Sequence, residues 1–184
     1  GIFFSSNRPH LWGKLIKNLS QNDVDWNLCI AGPNPPTESL PGNVKYIQTN
    51  VKPSQCFFIA EHNVSGEYVA PIADDLVFSK GWIDDMVKLI NKKNMTIVSP
   101  FFPKQGDSSK VHNDYLFWDA RGYLEGDSRS TENNAIHKGS WIPLIFPLPI
   151  INFMRREVFD NIGIDKNFVA MIWHWDIVCE LVSR

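Results

Sequence analysis

Two adjacent carboxylates, Asp74 and Asp75, stand between the apolar segments Tyr68-Val69-Ala70-Pro71-Ile72-Ala73 and Leu76-Val77. Packing favours neither acid there, so both need a partner that offsets their charge. At the C-terminal end of a sheet strand, where open α/β sheets bind their ligands, a divalent cation bridging to a diphosphate would neutralise them. A solvated strand-to-helix turn with Asp as its cap would carry the same pair, so the neighbouring residues have to decide. Asn7 and Arg8 follow a second apolar run, Ile2-Phe3-Phe4-Ser5. A turn after a strand offers backbone N–H groups and, here, a cation to a nucleotide. The same residues also read as a polar turn with Pro9 opening a helix.

Both groups can act together only if their strands end on one edge of a sheet. Short apolar runs alternate with segments of helical period along the chain, the pattern of an α/β sheet covered by helices on both faces. Ile2 to Ser5 reads as a strand, and His10 to Leu19 as a helix with Leu11, Leu15, Ile16 and Leu19 on one face. Trp26 to Ala31 is a buried strand ended by Gly32-Pro33-Asn34-Pro35-Pro36, which forbids helix. Val44 to Ile47 is a third strand, and Ser54 to Asn63 a helix behind Pro53. Glu67 to Ala73 is the strand that leads into the acid pair, and its internal Pro71 lacks one ladder donor. A helix from Gly81 or Trp82 to Ile90 and a strand from Thr96 to Pro100 follow. Lys104 to Gly139 is polar and rich in Gly, Ser, Asp and Asn, and it is expected to be irregular and mobile, a lid over the site. Leu144 to Phe153 reads as a returning strand, Arg155 to Asn161 as a short helix, and Trp175 to Val182 as the start of another.

At 184 residues the chain suits one domain with a sizeable core rather than two. A net charge of -2 and scattered Lys and Arg supply no field to gather a nucleic-acid backbone, which excludes nucleic acid as the partner class except as a nucleotide. Cys29, Cys56 and Cys179 are odd in number and far apart, so they read as reduced core residues and not as a disulfide or metal framework. The longest apolar run, Trp141 to Ile151, holds three prolines and is shorter than the roughly 20 residues a membrane span needs, so no transmembrane segment is expected. A soluble, cytoplasmic setting follows as the expectation. Because the chain opens on Gly1-Ile2-Phe3-Phe4 and already reads as strand, it is taken as part of a longer protein.

The context of the acid pair is Gly66-Glu67-Tyr68-Val69 before it and Phe78-Ser79-Lys80-Gly81-Trp82 with an amphipathic helix after it. From Ala60 to Ile90 this resembles the donor-site segment of GT-A fold glycosyltransferases, in particular the large inverting family typed by bacterial polysaccharide synthases. There a Gly-Glu-Tyr strand runs into a variable DxD-type acidic motif. The turn at Asn7-Arg8 and the segment Arg155-Arg156-Glu157-Val158-Phe159-Asp160-Asn161-Ile162-Gly163 have look-alikes in the same family, so the resemblance covers most of the chain. It implies a central mixed, mostly parallel sheet flanked by helices, a Rossmann-like nucleotide-diphospho-sugar transferase fold. Residues 1–100 would form the donor half, and 101–184 the acceptor half with the mobile loop 104–139.

By that resemblance Asp75 ligates a divalent metal, manganese or magnesium, and Asp74 supports the site or accepts a hydrogen bond from the ribose. The family's commoner pattern carries an acid at the position of Ala73, so the motif here is a shortened Asp-Asp form. Asn34 stands near where many relatives place an Asp that reads the base, and Asn34 or backbone groups of Ser5 and Ser6 are expected in that role. Lys52 matches a region from which relatives direct a cation to a phosphate, against the plainer reading of a solvated lysine. In Trp173-His174-Trp175-Asp176, Asp176 matches the acid that serves as general base, and its tryptophan neighbours would desolvate it and raise its pKa. A helix-start Asp is the plainer reading. His174 stands where a first acid is expected, either as a third metal ligand or as a polar substitution.

The implied activity is transfer of a sugar, with inversion, from a nucleotide-diphosphate donor to the hydroxyl of a glycan or other acceptor. A UDP-sugar is the donor expected, with glucose a guess at the sugar. Two rivals remain at this stage. A nucleotidyltransferase shares sheet, acid pair and metal but needs a Gly-rich signature that Ser5-Ser6-Asn7-Arg8-Pro9 lacks. A non-catalytic sugar- or nucleotide-binding module would also use the tryptophans.

Overall fold

The computed structural model describes residues 1–76, 78, 80–93, 97–100, 115–118, 123–127, 141–143, 153–165 and 167. Strand β1 (Ile2–Ser5) is the hub of a parallel half-sheet, with β2 (Leu28–Gly32) on one side and β4 (Tyr68–Pro71) on the other, and β3 (Val44–Gln48) beyond β2. The remaining strands extend the sheet past β4: β9 (Phe153–Arg155), β5 (Ile97–Pro100), β6 (Tyr115–Trp118), β7 (Tyr123–Asp127) and β8 (Trp141–Pro143), each antiparallel to its neighbour. Because β9 is antiparallel to both β4 and β5, β5 runs in the direction of β1 to β4. The observed sheet is the expected mixed, mostly parallel one in its N-terminal part.

Successive side chains of a strand face opposite ways, and β1 shows how that recruits helices to both sides. Phe3 meets Phe57 of α2 (Pro53–Glu61) and Phe159 of α4 (Arg156–Ile162) edge-on, at ring separations of 6.2 and 5.7 Å. Phe4, on the opposite face, meets Trp12 of α1 (Trp12–Leu19) at 6.5 Å. All five rings are buried, each contributing about 2 kcal/mol or more through its buried area. Helix α3 (Trp82–Lys93) lies on the α1 side, where Asn22 accepts from the Ile83 N–H at 2.7 Å and Asp84 accepts from the N–H groups of Asp23 and Val24.

Pro71 is accommodated by its position. Ala70 donates to the Gly1 carbonyl just before β1 at 2.9 Å and Ile72 to the Phe3 carbonyl at 3.0 Å, so the intervening proline nitrogen points away from β1 and that ladder keeps its donors. Cys29 and Cys56 are buried free thiols, as expected, and burial pushes Cys29 up to about 11.

Several expectations need correction. The chain turns through a 3₁₀ segment at Pro9–Leu11 before α1 begins at Trp12, so the buried face is Trp12, Leu15, Ile16 and Leu19, with Trp12 in the place expected for Leu11. The stretch 104–139 contains the hairpin partners β6 and β7, which its overall polarity concealed: Tyr115-Leu116-Phe117-Trp118 is a compact run of strand-forming residues. The rest of that stretch lies outside the described residues, as does the helix expected from Trp175. Of the strand expected over Leu144 to Phe153, only Phe153 is described, as the first residue of β9. Among the described residues no helix is long and apolar enough to cross a membrane.

Candidate functional site

The strand order β3-β2-β1-β4 reverses direction at β1: the chain moves outward to β2 and β3, then returns to place β4 on the other side. Ligands of open α/β sheets bind beyond the C-terminal ends of the strands at such a switch point, where the connecting segments part. Ser6, Asn7 and Arg8 follow β1, and Asp74 and Asp75 follow β4, so the structure brings both groups of chemically able residues to that crevice. Asn34, after β2, and Lys52, after β3, lie on loops of the same edge.

Arg8 joins the two loops. Its guanidinium contacts Asp74 through Nη2 to Oδ1 and through Nε to Oδ2 at 3.2 Å, and the same Nη2 reaches Asp75 Oδ2 at 3.0 Å. The two acids differ in setting, since the Asp74 side chain is 4% exposed and that of Asp75 55%. Hydrogen bonding to Asp74, then to Asp75, with their charges, holds the Arg8 guanidinium above its ordinary value against the desolvation that lowers it.

Ser6 anchors this arrangement from below. Its hydroxyl donates to Asp74 Oδ2 and accepts from the Trp12 indole at 2.9 Å and from the Arg8 backbone N–H at 3.0 Å. The Ser6 side chain therefore serves Asp74. Asn34 donates to the Asn7 carbonyl at 2.7 Å, tying the loop after β2 to the loop after β1. Lys52 is the N-cap residue of α2, where its backbone N–H donates to Gln55 at 3.1 Å. Ser5 ends β1 beside Cys56, whose thiol burial pushes up while the Ser5 hydroxyl draws it down.

Three supporting residues carried no functional signal in the sequence. Trp12 holds Ser6 from the first turn of α1. Gly32 lets β2 approach the Ser6 turn, because a Cβ there would lie 1.9 Å from the Ser6 carbonyl oxygen. Asn18 clamps the loop downstream of the acids by donating to the Phe78 carbonyl at 2.8 Å and accepting from the Phe78 N–H at 2.7 Å. Each is visible only once distant segments meet.

Among the described residues no three His, Cys, Asp or Glu side chains gather as a metal cluster. Asp74 and Asp75 nevertheless fit a hard, oxygen-seeking ion: they are adjacent at a strand end, one is exposed, and a cation, Arg8, already stands in contact with both. Magnesium-type sites commonly take only one or two protein carboxylates and fill the remainder with phosphate oxygens and water. Asp176 and His174 lie outside the described residues.

No protein-family profile matches the chain, and no curated protein sequence matches it. Solved structures do. The chain superposes on Staphylococcus aureus TarS residues 1–349 with a TM-score of 0.62 at 13% identity, covering 96% of this chain and 53% of that one. The same fragment in complex with UDP gives 0.58 at 11% identity, with the same coverages. A longer TarS structure gives 0.59 at 12%, covering 32% of its length. The chain thus spans about half of the shorter TarS structures, and the fold it shares with them is of the GT-A type.

Proposed function

We propose that this chain forms the donor-binding part of a glycosyltransferase that takes a nucleoside diphosphate sugar. The observation that carries this reading is the meeting of Arg8, Asp74 and Asp75 at the switch point of a sheet whose structural neighbours include a UDP complex. UDP is the preferred nucleotide on the same ground. Asn34, Ser5, Ser6 and Asn7 border the crevice beyond β1 and β2, where a base and ribose would lie between the two loops. Lys52, on the loop after β3, adds a cation to the same edge.

Asp75, with its exposed carboxylate, is the residue proposed to hold a divalent ion, manganese or magnesium. Asp74, engaged by Ser6 and Arg8, supports it. When bound, that ion would offset the charge of the diphosphate leaving group. Arg8 supplies a second positive charge at the same place, and its guanidinium geometry suits phosphate oxygens. His174 is proposed as a further ligand. Asp176 is proposed as the base that takes the proton from the acceptor hydroxyl as it attacks the anomeric carbon, which makes the reaction a direct, inverting displacement. The acceptor is a glycan or another hydroxyl compound.

A thermal-shift panel of UDP, GDP and CMP, each with and without manganese, tests the donor reading. Manganese with UDP should raise the melting temperature more than either alone, because bound ligands stabilise by mass action and the acids would otherwise repel a diphosphate. Equal UDP binding in excess chelator would refute the metal bridge. No shift with any nucleotide would refute the donor site.

A further inference from the structure

Arg8 contacts both of the carboxylates that are proposed to serve a divalent ion. Its Nη2 is shared between Asp74 Oδ1 and Asp75 Oδ2, and its Nε lies 3.2 Å from Asp74 Oδ2. Two adjacent carboxylates at a strand end repel one another, and the guanidinium removes that repulsion without any ion. We propose that Arg8 is a resident counter-cation of the acid pair, which a divalent ion has to displace from Asp75. This rests on the proposed metal role of Asp75.

The contacts are arranged so that release is local. The Arg8 backbone is held apart from its side chain, since its N–H donates to Ser6 Oγ at 3.0 Å and that hydroxyl is itself held by Trp12. Asp74 keeps the Ser6 hydroxyl when the guanidinium moves, and a divalent ion arriving at the adjacent Asp75 would replace the positive charge beside it. Asp75 is 55% exposed and exchanges the guanidinium for water or an ion at little cost. The Arg8 side chain is 45% exposed, and among the described residues its guanidinium donates to these two carboxylates and to no backbone carbonyl. A diphosphate at the same edge would offer the freed guanidinium a new set of oxygens. Ion and nucleotide then favour one another's binding, and the ion alone binds weakly.

Manganese titration by electron paramagnetic resonance, on the whole chain and without nucleotide, separates this competition from simple crowding of charges. Arg8→Ala should bind manganese on the order of tenfold more tightly than the parent, because a competing cation has gone. Arg8→Lys should fall between them, since an ammonium keeps the charge but cannot bridge two carboxylates through a planar fork. It also serves if Arg8→Ala does not fold. Equal or weaker manganese affinity in the folded Arg8 variants, or no manganese binding by any of the proteins, would overturn the proposal. Failure of the donor reading looks different: tighter manganese binding by Arg8→Ala in a protein that never binds UDP would uphold the competition and sink the nucleotide site.

Discussion

Two arginines each bridge a pair of carboxylates at opposite ends of strand β4, and they are built for different purposes. At the C-terminal end Arg8 lies between Asp74 and Asp75; at the N-terminal end Arg156 lies between Glu61, at 3.3 Å, and Asp160, at 3.7 Å. Arg156 also donates to the backbone carbonyls of Gly66 and Val64, at 3.0 and 3.2 Å, and its own N–H donates to the Glu67 carbonyl at 2.7 Å. Its guanidinium thus closes the turn between α2 and β4 and docks α4 against it. Carbonyl partners cannot move without unfolding the turn, whereas carboxylates on side chains can exchange one cation for another. The side chain of Arg156 is 23% exposed against 45% for Arg8, in keeping with a fixed and an exchangeable role. A charged cluster becomes a candidate site when its partners are free to be replaced.

The largest effect expected comes from Asp176, which lies outside the described residues. Asp176→Asn should leave UDP binding intact while sugar transfer falls by roughly two to four orders of magnitude, the usual worth of a general base. Transfer near the parental rate would return Asp176 to a structural helix-start role.

Exchanging damage between the two ends sharpens the contrast further. Asp75→Ala should abolish manganese-dependent UDP binding yet change stability by less than about 1 kcal/mol, because the residue is exposed. Arg156→Ala should do the reverse. Taking the guanidinium from Glu61, which keeps His62, and from two carbonyls should cost about 2 to 3 kcal/mol, discounted from a fully buried pair because Arg156 is partly exposed, while the folded fraction binds UDP unchanged. Urea unfolding and UDP titration on both variants read the two effects separately. Equal loss of binding in both would show that the two ends of β4 do not differ in role.

The smallest effect is a change in pH dependence at the N-terminal end. Burial, above all, pushes the Glu61 carboxyl up, with Asp160 adding to the rise and His62 and Arg156 opposing it. A carboxyl raised in the folded state binds more protons there than in the unfolded chain. Its contribution to stability therefore falls as pH climbs from the ordinary glutamate range through the raised folded value. Glu61→Gln removes that titration, so the stability difference between parent and variant should move in favour of the variant across this window. Urea midpoints at stepped pH measure it. A difference that stays constant, or moves towards the parent, would show that Glu61 is not desolvated.

Much of the parallel half was legible in the residues alone. Hydrophobic run length, Pro53 before a helix and the prolines after Gly32 determine where elements start and stop, because those are properties of a few consecutive residues. The acid pair stood out for the same reason: adjacent charges between apolar segments conflict with packing wherever they are placed. The hairpin of β6 and β7 was missed because polar flanks diluted a short aromatic run. What no local pattern could decide is which distant groups meet. That Arg8 reaches across 66 residues to Asp74 and not into solvent, that Ser6 is spent on Asp74, and that Asn34 binds the Asn7 carbonyl all depend on strand order. Arg8 and Arg156 look alike as charged residues beside Pro9 and Glu157. Only the sheet, by putting one against side-chain carboxylates and the other against backbone carbonyls, separates a cation that can leave from one that cannot.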